Sequence, residues 1–160
     1  MTPQLYQQNE TLFQWSTGAA YLYSLYELGP YKLITGVNCE FLAANKQEIA
    51  LLDTGAELSV AGHEVYQDFL EEEGSASLLG APVGERIINT RFGSFEGSLY
   101  RIDVGLVAEW GESLTIEGTF LFCEEWRGPT VLGFHGFLER IRFAIDPDYE
   151  QIGCIYFAET

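Results

Sequence analysis

Apolar positions along this chain recur chiefly with a period of two, in short stretches. Ile102, Val104 and Leu106 alternate with Asp103 and Gly105, and Ile141, Phe143 and Ile145 alternate with Arg140, Arg142 and Asp146. Each stretch therefore offers one face to a core and one to solvent, as a strand does. Residues 33–37 and 48–52 flank a polar turn around Asn45, Lys46 and Gln47 and predict a hairpin. Residues 115–123 predict a more deeply buried strand. Helical spacing occurs over residues 63–73, where Val65, Tyr66, Phe69 and Leu70 recur at i, i+1, i+4 and i+5 and Gly74 stands at the C-terminal cap. Glu71, Glu72 and Glu73 read as its solvated end, with an acidic recognition patch as the alternative. Since 17 glycines punctuate the apolar stretches, the expected fold class is all-β. Residues 1–30 are rich in aromatics but have no period, and are expected to be an irregular N-terminal extension to a domain over residues 31–160.

A length of 160 residues suits one domain, and a chain that is 47% hydrophobic has enough apolar surface to bury a core. Eight Lys and Arg against 24 Asp and Glu leave a net charge of −16. Such a chain repels phosphate backbones and anionic lipid, so nucleic acid and membrane surfaces are excluded as partners. Residues 1–10 have neither a basic start nor an apolar run, so no secretory signal is expected, and no stretch is long and apolar enough to span a bilayer. Cys39, Cys123 and Cys154 are dispersed and odd in number, which argues against a disulfide framework or a zinc site and fits a soluble, cytoplasmic protein. His63 and Glu64 begin like a zinc helix, but Gln67 occupies the second histidine position.

The residues most suggestive of chemistry are Asp53, Thr54 and Gly55, which close the apolar run 49–52. A carboxylate ending a buried strand beside a small hydroxyl residue and a glycine is costly unless something uses it. A tripeptide this short is also compatible with a plain turn. The wider pattern, apolar-apolar-Asp-Thr-Gly-Ala with Ser59 three residues beyond Ala56, resembles the active-site loop of the retropepsin-like, retroviral-type aspartic proteases. Residues 130–138, in which Val131, Leu132 and Gly133 precede a short helix near Phe137, resemble the later apolar-apolar-Gly element of that family in bacterial-looking members. The strand of residues 140–146 follows in the same order. The resemblance covers residues 31–157.

This resemblance implies a closed or partly closed β-barrel with one or two short helices, acting as a two-fold symmetric homodimer. Two aspartates share a proton in that family, because neighbouring carboxylates cannot both ionise cheaply, and together they activate a water against a peptide bond. Asp53 would be the catalytic residue. Thr54 would reach across to the partner loop, and Gly55 and Ala56 would shape the turn. Leu132 and Gly133 would pack beneath it, and neither metal nor other cofactor would be needed. Only one Asp-Thr-Gly occurs, so the second aspartate must come from another copy of the chain, and the partners implied are a second copy and a protein or peptide substrate. A covering hairpin is expected over residues 87–100, with Gly93 and Gly97 bracketing a tip at Ser94, Phe95 and Glu96. Phe92, Phe95 or Tyr100 would then face substrate, an ordinary surface hairpin being the alternative. Phe134 and His135 stand where viral members carry a basic residue, so the ion pair made there is not carried over. A non-catalytic peptide-binding or dimerisation module on the same fold is the alternative function, and an unrelated ligand-binding barrel a third.

Overall fold

The structure is a computed structural model that describes residues 15–24, 35–71, 78–90 and 92–160. β1 (Gly18–Tyr21) and β2 (Tyr23–Ser24) precede β3 (Thr35–Phe41), which buries alternate side chains, Val37, Cys39 and Phe41. A 3-10 turn at Leu42–Ala44 leads into β4 (Lys46–Leu52). The reversal rests on Asn45 at φ 49°, a left-handed conformation that Asn tolerates better than most residues. The expected hairpin forms, with Phe41 opposite Lys46 and Val37 opposite Ala50. Residues 33 and 34 of its expected first strand lie outside the described residues.

After Leu52 the chain passes through the Asp53 loop into β5 (Ser59–Val60) and then α1 (His63–Tyr66), which continues as a π turn over Gln67–Glu71. The amides entering the helix are satisfied from another loop: Gly62 N–H donates to Thr130 Oγ1 at 2.8 Å and His63 N–H to the Gly128 carbonyl at 3.2 Å. Val65 and Phe69 are buried, and Phe69 meets Phe41 and Phe122 edge-on. Glu72, Glu73 and Gly74, the expected end and cap, lie outside the described residues.

β6 (Gly84–Thr90) and β7 (Gly93–Leu106) form a long hairpin, followed by β8 (Trp110–Gly111), β9 (Leu114–Phe122) and β10 (Val131–Leu132). Hydrogen bonding runs in the order β3, β4, β10, β5, β9, β7, and β7 returns to β3 by pairing Leu106 with Cys39 and Val104 with Phe41. Six strands thereby close into a barrel, with Val37, Phe41, Val104, Phe120, Leu132 and Phe137 in its core. Strands hold 54% of the described residues and the helix nine residues, so the all-β expectation holds. Among the described residues no helix is long and apolar enough to cross a membrane.

β11 (Ile141–Asp146) and β12 (Cys154–Glu159) make a hairpin outside the barrel. β1 lies on the other side of β12, pairing Gly18 with Phe157 and Tyr21 with Cys154, and β8 flanks β1, so a second sheet runs β11, β12, β1, β8. Part of the stretch expected to be irregular is therefore a strand at residues 18–21. Its small residues Gly18, Ala19 and Ala20 carry no visible period, yet they fit closely there: a Cβ on Gly18 would stand 2.1 Å from the Glu112 carbonyl oxygen.

Candidate functional site

Asp53 follows β4 at the point where that strand separates from β10. Parallel pairing sets Val131 against Leu51 and Leu132 against Leu52, and Val131 pairs with Val60 of β5 on its other side. β10 therefore wedges between the strands on either side of the Asp53 loop. Asp53 N–H donates to the Leu132 carbonyl at 3.1 Å, which fixes the backbone of the acid to the wedge. The carboxylate is fixed separately. Its Oδ1 accepts Gly55 N–H at 2.9 Å and Ala56 N–H at 3.2 Å, which leaves Oδ2 outside that pair of bonds.

Asp53 is half-buried, whereas Thr54 and Gly55 are exposed. The Thr54 hydroxyl has no hydrogen-bond partner among the described residues. Leu132 is fully buried beneath the loop, and Gly133 is sterically required: a Cβ there would stand 2.3 Å from the Leu58 carbonyl oxygen. Gly133 N–H donates to the buried Ser59 Oγ at 2.9 Å. Phe134 N–H to Ala56 O and His135 N–H to Glu57 O, both at 2.8 Å, continue the attachment. Asp53, Thr54, Gly55, Ala56, Leu132 and Gly133 are thus brought into one unit. Ser59, quoted in the motif without a role, is the buried acceptor that joins its two halves.

Thr130 extends the support underneath. Its carbonyl accepts Leu51 N–H at 2.8 Å, and its buried hydroxyl accepts Gly62 N–H while donating to Glu48. Burial pushes the Glu48 carboxyl above its ordinary value, and the Thr130 hydroxyl bond opposes that rise.

The hairpin β6–β7 rises beside the loop, but its tip differs from the expectation. Thr90 pairs with Gly93, with Phe92 in the turn, and Ser94, Phe95 and Glu96 lie within β7. Gly93, at φ 123°, closes the turn, and Thr90 Oγ1 accepts Phe92 N–H at 3.0 Å. Gly97 does not mark the tip. It sits mid-strand opposite Arg86, where a Cβ would come 2.3 Å from the Phe122 carbonyl oxygen. Phe92 is 70% exposed at the tip. Phe95 packs with Ile88, Leu51, Ala56 and Val131 in an apolar cluster flanking the Asp53 loop, and meets Trp126 edge-on at 5.4 Å. Tyr100 turns to the opposite face and packs on Phe122 at 5.3 Å. Trp126, anchored by Nε1–H to the Pro129 carbonyl at 2.9 Å, does not stand out in the sequence; its signal there is one indole in a short Gly-Pro loop.

His63 lies at the helix start and its Nδ1 is 3.2 Å from Arg127 Nη1, while His135 Nδ1 pairs with Glu139 at 3.2 Å. Among the described residues no group of three His, Cys, Asp or Glu side chains could hold a metal ion. No protein-family model matches the chain, and no curated protein matches it.

Proposed function

We propose that this chain is one half of a retropepsin-like aspartic endopeptidase, completed by a second copy. The observation that carries the reading is the Asp53 loop itself: one carboxylate oxygen is tied down by two amides, the backbone rides on the Leu132-Gly133 wedge, and the neighbouring Thr54 hydroxyl is exposed without a partner among the described residues. The carboxylate is held by its own turn, and one chain supplies only one Asp-Thr-Gly loop.

In the dimer the two Asp53 side chains share a proton. The ionised member takes a proton from a water, which adds to the scissile carbonyl carbon, and the protonated member donates to the carbonyl oxygen. The tetrahedral intermediate then collapses as the amide nitrogen takes up a proton and leaves, with no covalent acyl-enzyme. Leu51, Phe95 and Trp126, half-buried around the loop, are the apolar side chains that an extended peptide laid under the hairpin would meet. Incubation of wild type and Asp53→Asn with a mixed peptide library from acidic to neutral pH tests this. Cleavage by wild type alone supports it; equal cleavage by both, or none by either, sinks it and favours a non-catalytic peptide-binding module.

A further inference from the structure

The second sheet ends, on one side, in β11. This strand pairs with β12 and with no other strand among the described residues, so one edge of residues 141–146 presents its backbone groups unpaired by strand. A six-residue edge of that kind is a template for another strand. The opposite edge, β8, has two residues. β12 and β1 are flanked on both sides within the chain, so neither can pair with a second copy without being displaced.

The sequence of this edge is complementary to itself. In antiparallel self-pairing about a two-fold axis at Ala144, Arg142 faces Asp146 of the partner subunit and Asp146 faces Arg142 of the partner subunit. Phe143 faces Ile145 of the partner subunit on the other face. The small Ala144 meets its own copy at the axis. Opposite charges and apolar side chains placed directly across a pair of strands attract, and like charges repel. Moving the axis to Phe143 or to Ile145 puts Ala144 opposite a charge instead, and only Arg140 could then meet Asp146. Arg140 is already engaged, donating from Nη1 to the Glu117 carbonyl at 2.6 Å. Arg142 is exposed, and Ile145 is 43% exposed despite belonging to a strand's apolar face.

The edge is also continuous with the Asp53 loop. Phe134, 51% exposed, is bonded through its N–H to Ala56 and through its carbonyl to Glu139 N–H, one residue before Arg140 and β11. A groove of about 570 Å³ lined by Phe134, Trp15, Ile141, Arg142 and Phe143 runs along this side. Two of the eight basic residues of a chain of charge −16 stand here, at positions 140 and 142, where they lower the repulsion between copies.

We infer that two copies of this chain join edge to edge through β11, centred on Ala144, making one continuous eight-stranded sheet beside the paired Asp53 loops. The inference rests on the protease reading for its purpose and on the strand edge for its geometry. Arg142→Glu and Asp146→Arg, each made in the full chain, place like charges across both positions of the seam. Each alone should raise the dimer dissociation constant about tenfold or more by sedimentation velocity. Mixed in equal amounts, the two variants set the introduced glutamate of one against the introduced arginine of the other, and keep a native Asp146 facing a native Arg142 at the second position. Dimerisation should then return to the wild-type level, and the double variant should dimerise with itself. Circular dichroism melts check that each variant folds. Single variants that dimerise like wild type, a mixture no better than its components, or a wild type that stays monomeric would each overturn the seam. Peptide cleavage is read in the same samples: a wild-type dimer that obeys the charge swap and cleaves nothing leaves the seam standing and removes only the protease reading.

Discussion

Ser59 Oγ and the Gly133 N–H are joined by a buried hydrogen bond of 2.9 Å, the tie between the strand leaving the Asp53 loop and the turn leaving β10. Ser59→Ala leaves that amide without an acceptor in a buried position, so unfolding in urea should show a loss of about 1–3 kcal/mol. Gly133→Ala should cost more, because its methyl group would meet the Leu58 backbone, which cannot swing aside as a side chain does. A Ser59→Ala protein as stable as wild type would show that water replaces the hydroxyl.

Thr54 is exposed and has no hydrogen-bond partner among the described residues, so its contribution to the single chain should be small. Thr54→Val should change monomer stability by less than about 0.5 kcal/mol at a concentration where the chain is monomeric. The same variant should weaken dimerisation and peptide cleavage, since in the proposed dimer that hydroxyl joins the two loops. Sedimentation at several concentrations separates the two effects. A variant that loses monomer stability and keeps its dimer would reverse the assignment.

Phe95 and Trp126 meet edge-on at 5.4 Å and 89°, linking the hairpin to the loop between β9 and β10. A double-mutant cycle with Phe95→Ala and Trp126→Ala should return a coupling of about 0.5–1.5 kcal/mol. Either single variant should also speed hydrogen exchange at the amides of β6, because the hairpin loses a side-chain anchor. Additive effects with unchanged exchange would mean that the hairpin is held by its strands alone.

Glu48 has a carboxyl raised by burial, so the folded chain binds its proton more tightly than the unfolded chain does. Its contribution therefore favours folding at low pH and is lost as pH rises above the ordinary value of 4.5 toward the raised folded value. Glu48→Gln removes that dependence while an amide oxygen can still accept from Thr130. The stability of the variant relative to wild type should rise between about pH 4 and about pH 7, measured by urea unfolding at each pH. A constant difference would show that the Thr130 bond offsets burial fully.

Legibility in the sequence follows periodicity. Ile102, Val104 and Leu106 alternate because β7 has one buried face in the barrel, whereas β3 and β4 are readable as apolar stretches on either side of a polar turn. β12 is not, since Ile155, Tyr156 and Phe157 are buried on successive positions and leave no alternation to detect. β5 and β10, of two residues each, are too short to carry a period, and the motifs around Asp53 and Gly133 are their only signal. The hairpin tip falls away from its expected place because a glycine signals a turn and a close approach alike. Gly97 serves the second purpose against Phe122, a neighbour 25 positions away by number that no local pattern reveals. Trp126 and Thr130 owe their roles to residues brought near by the barrel's closure.

The position of β12 in the second sheet bears on how the chain acquires its structure during synthesis. β1 emerges early, but its long neighbour is residues 154–159, made after every other strand described. Until then β11 has no strand partner and β1 has only β8, so each lacks the neighbour it has in the finished sheet. Closing the sheet joins Gly18 to Phe157, a contact of high sequence separation and correspondingly slow to form. Ribosome stalls or cleavage that remove residues 154–159 should therefore release a chain whose barrel strands can pair while β1 and β11 remain adhesive, and such chains should aggregate before they misassemble into dimers.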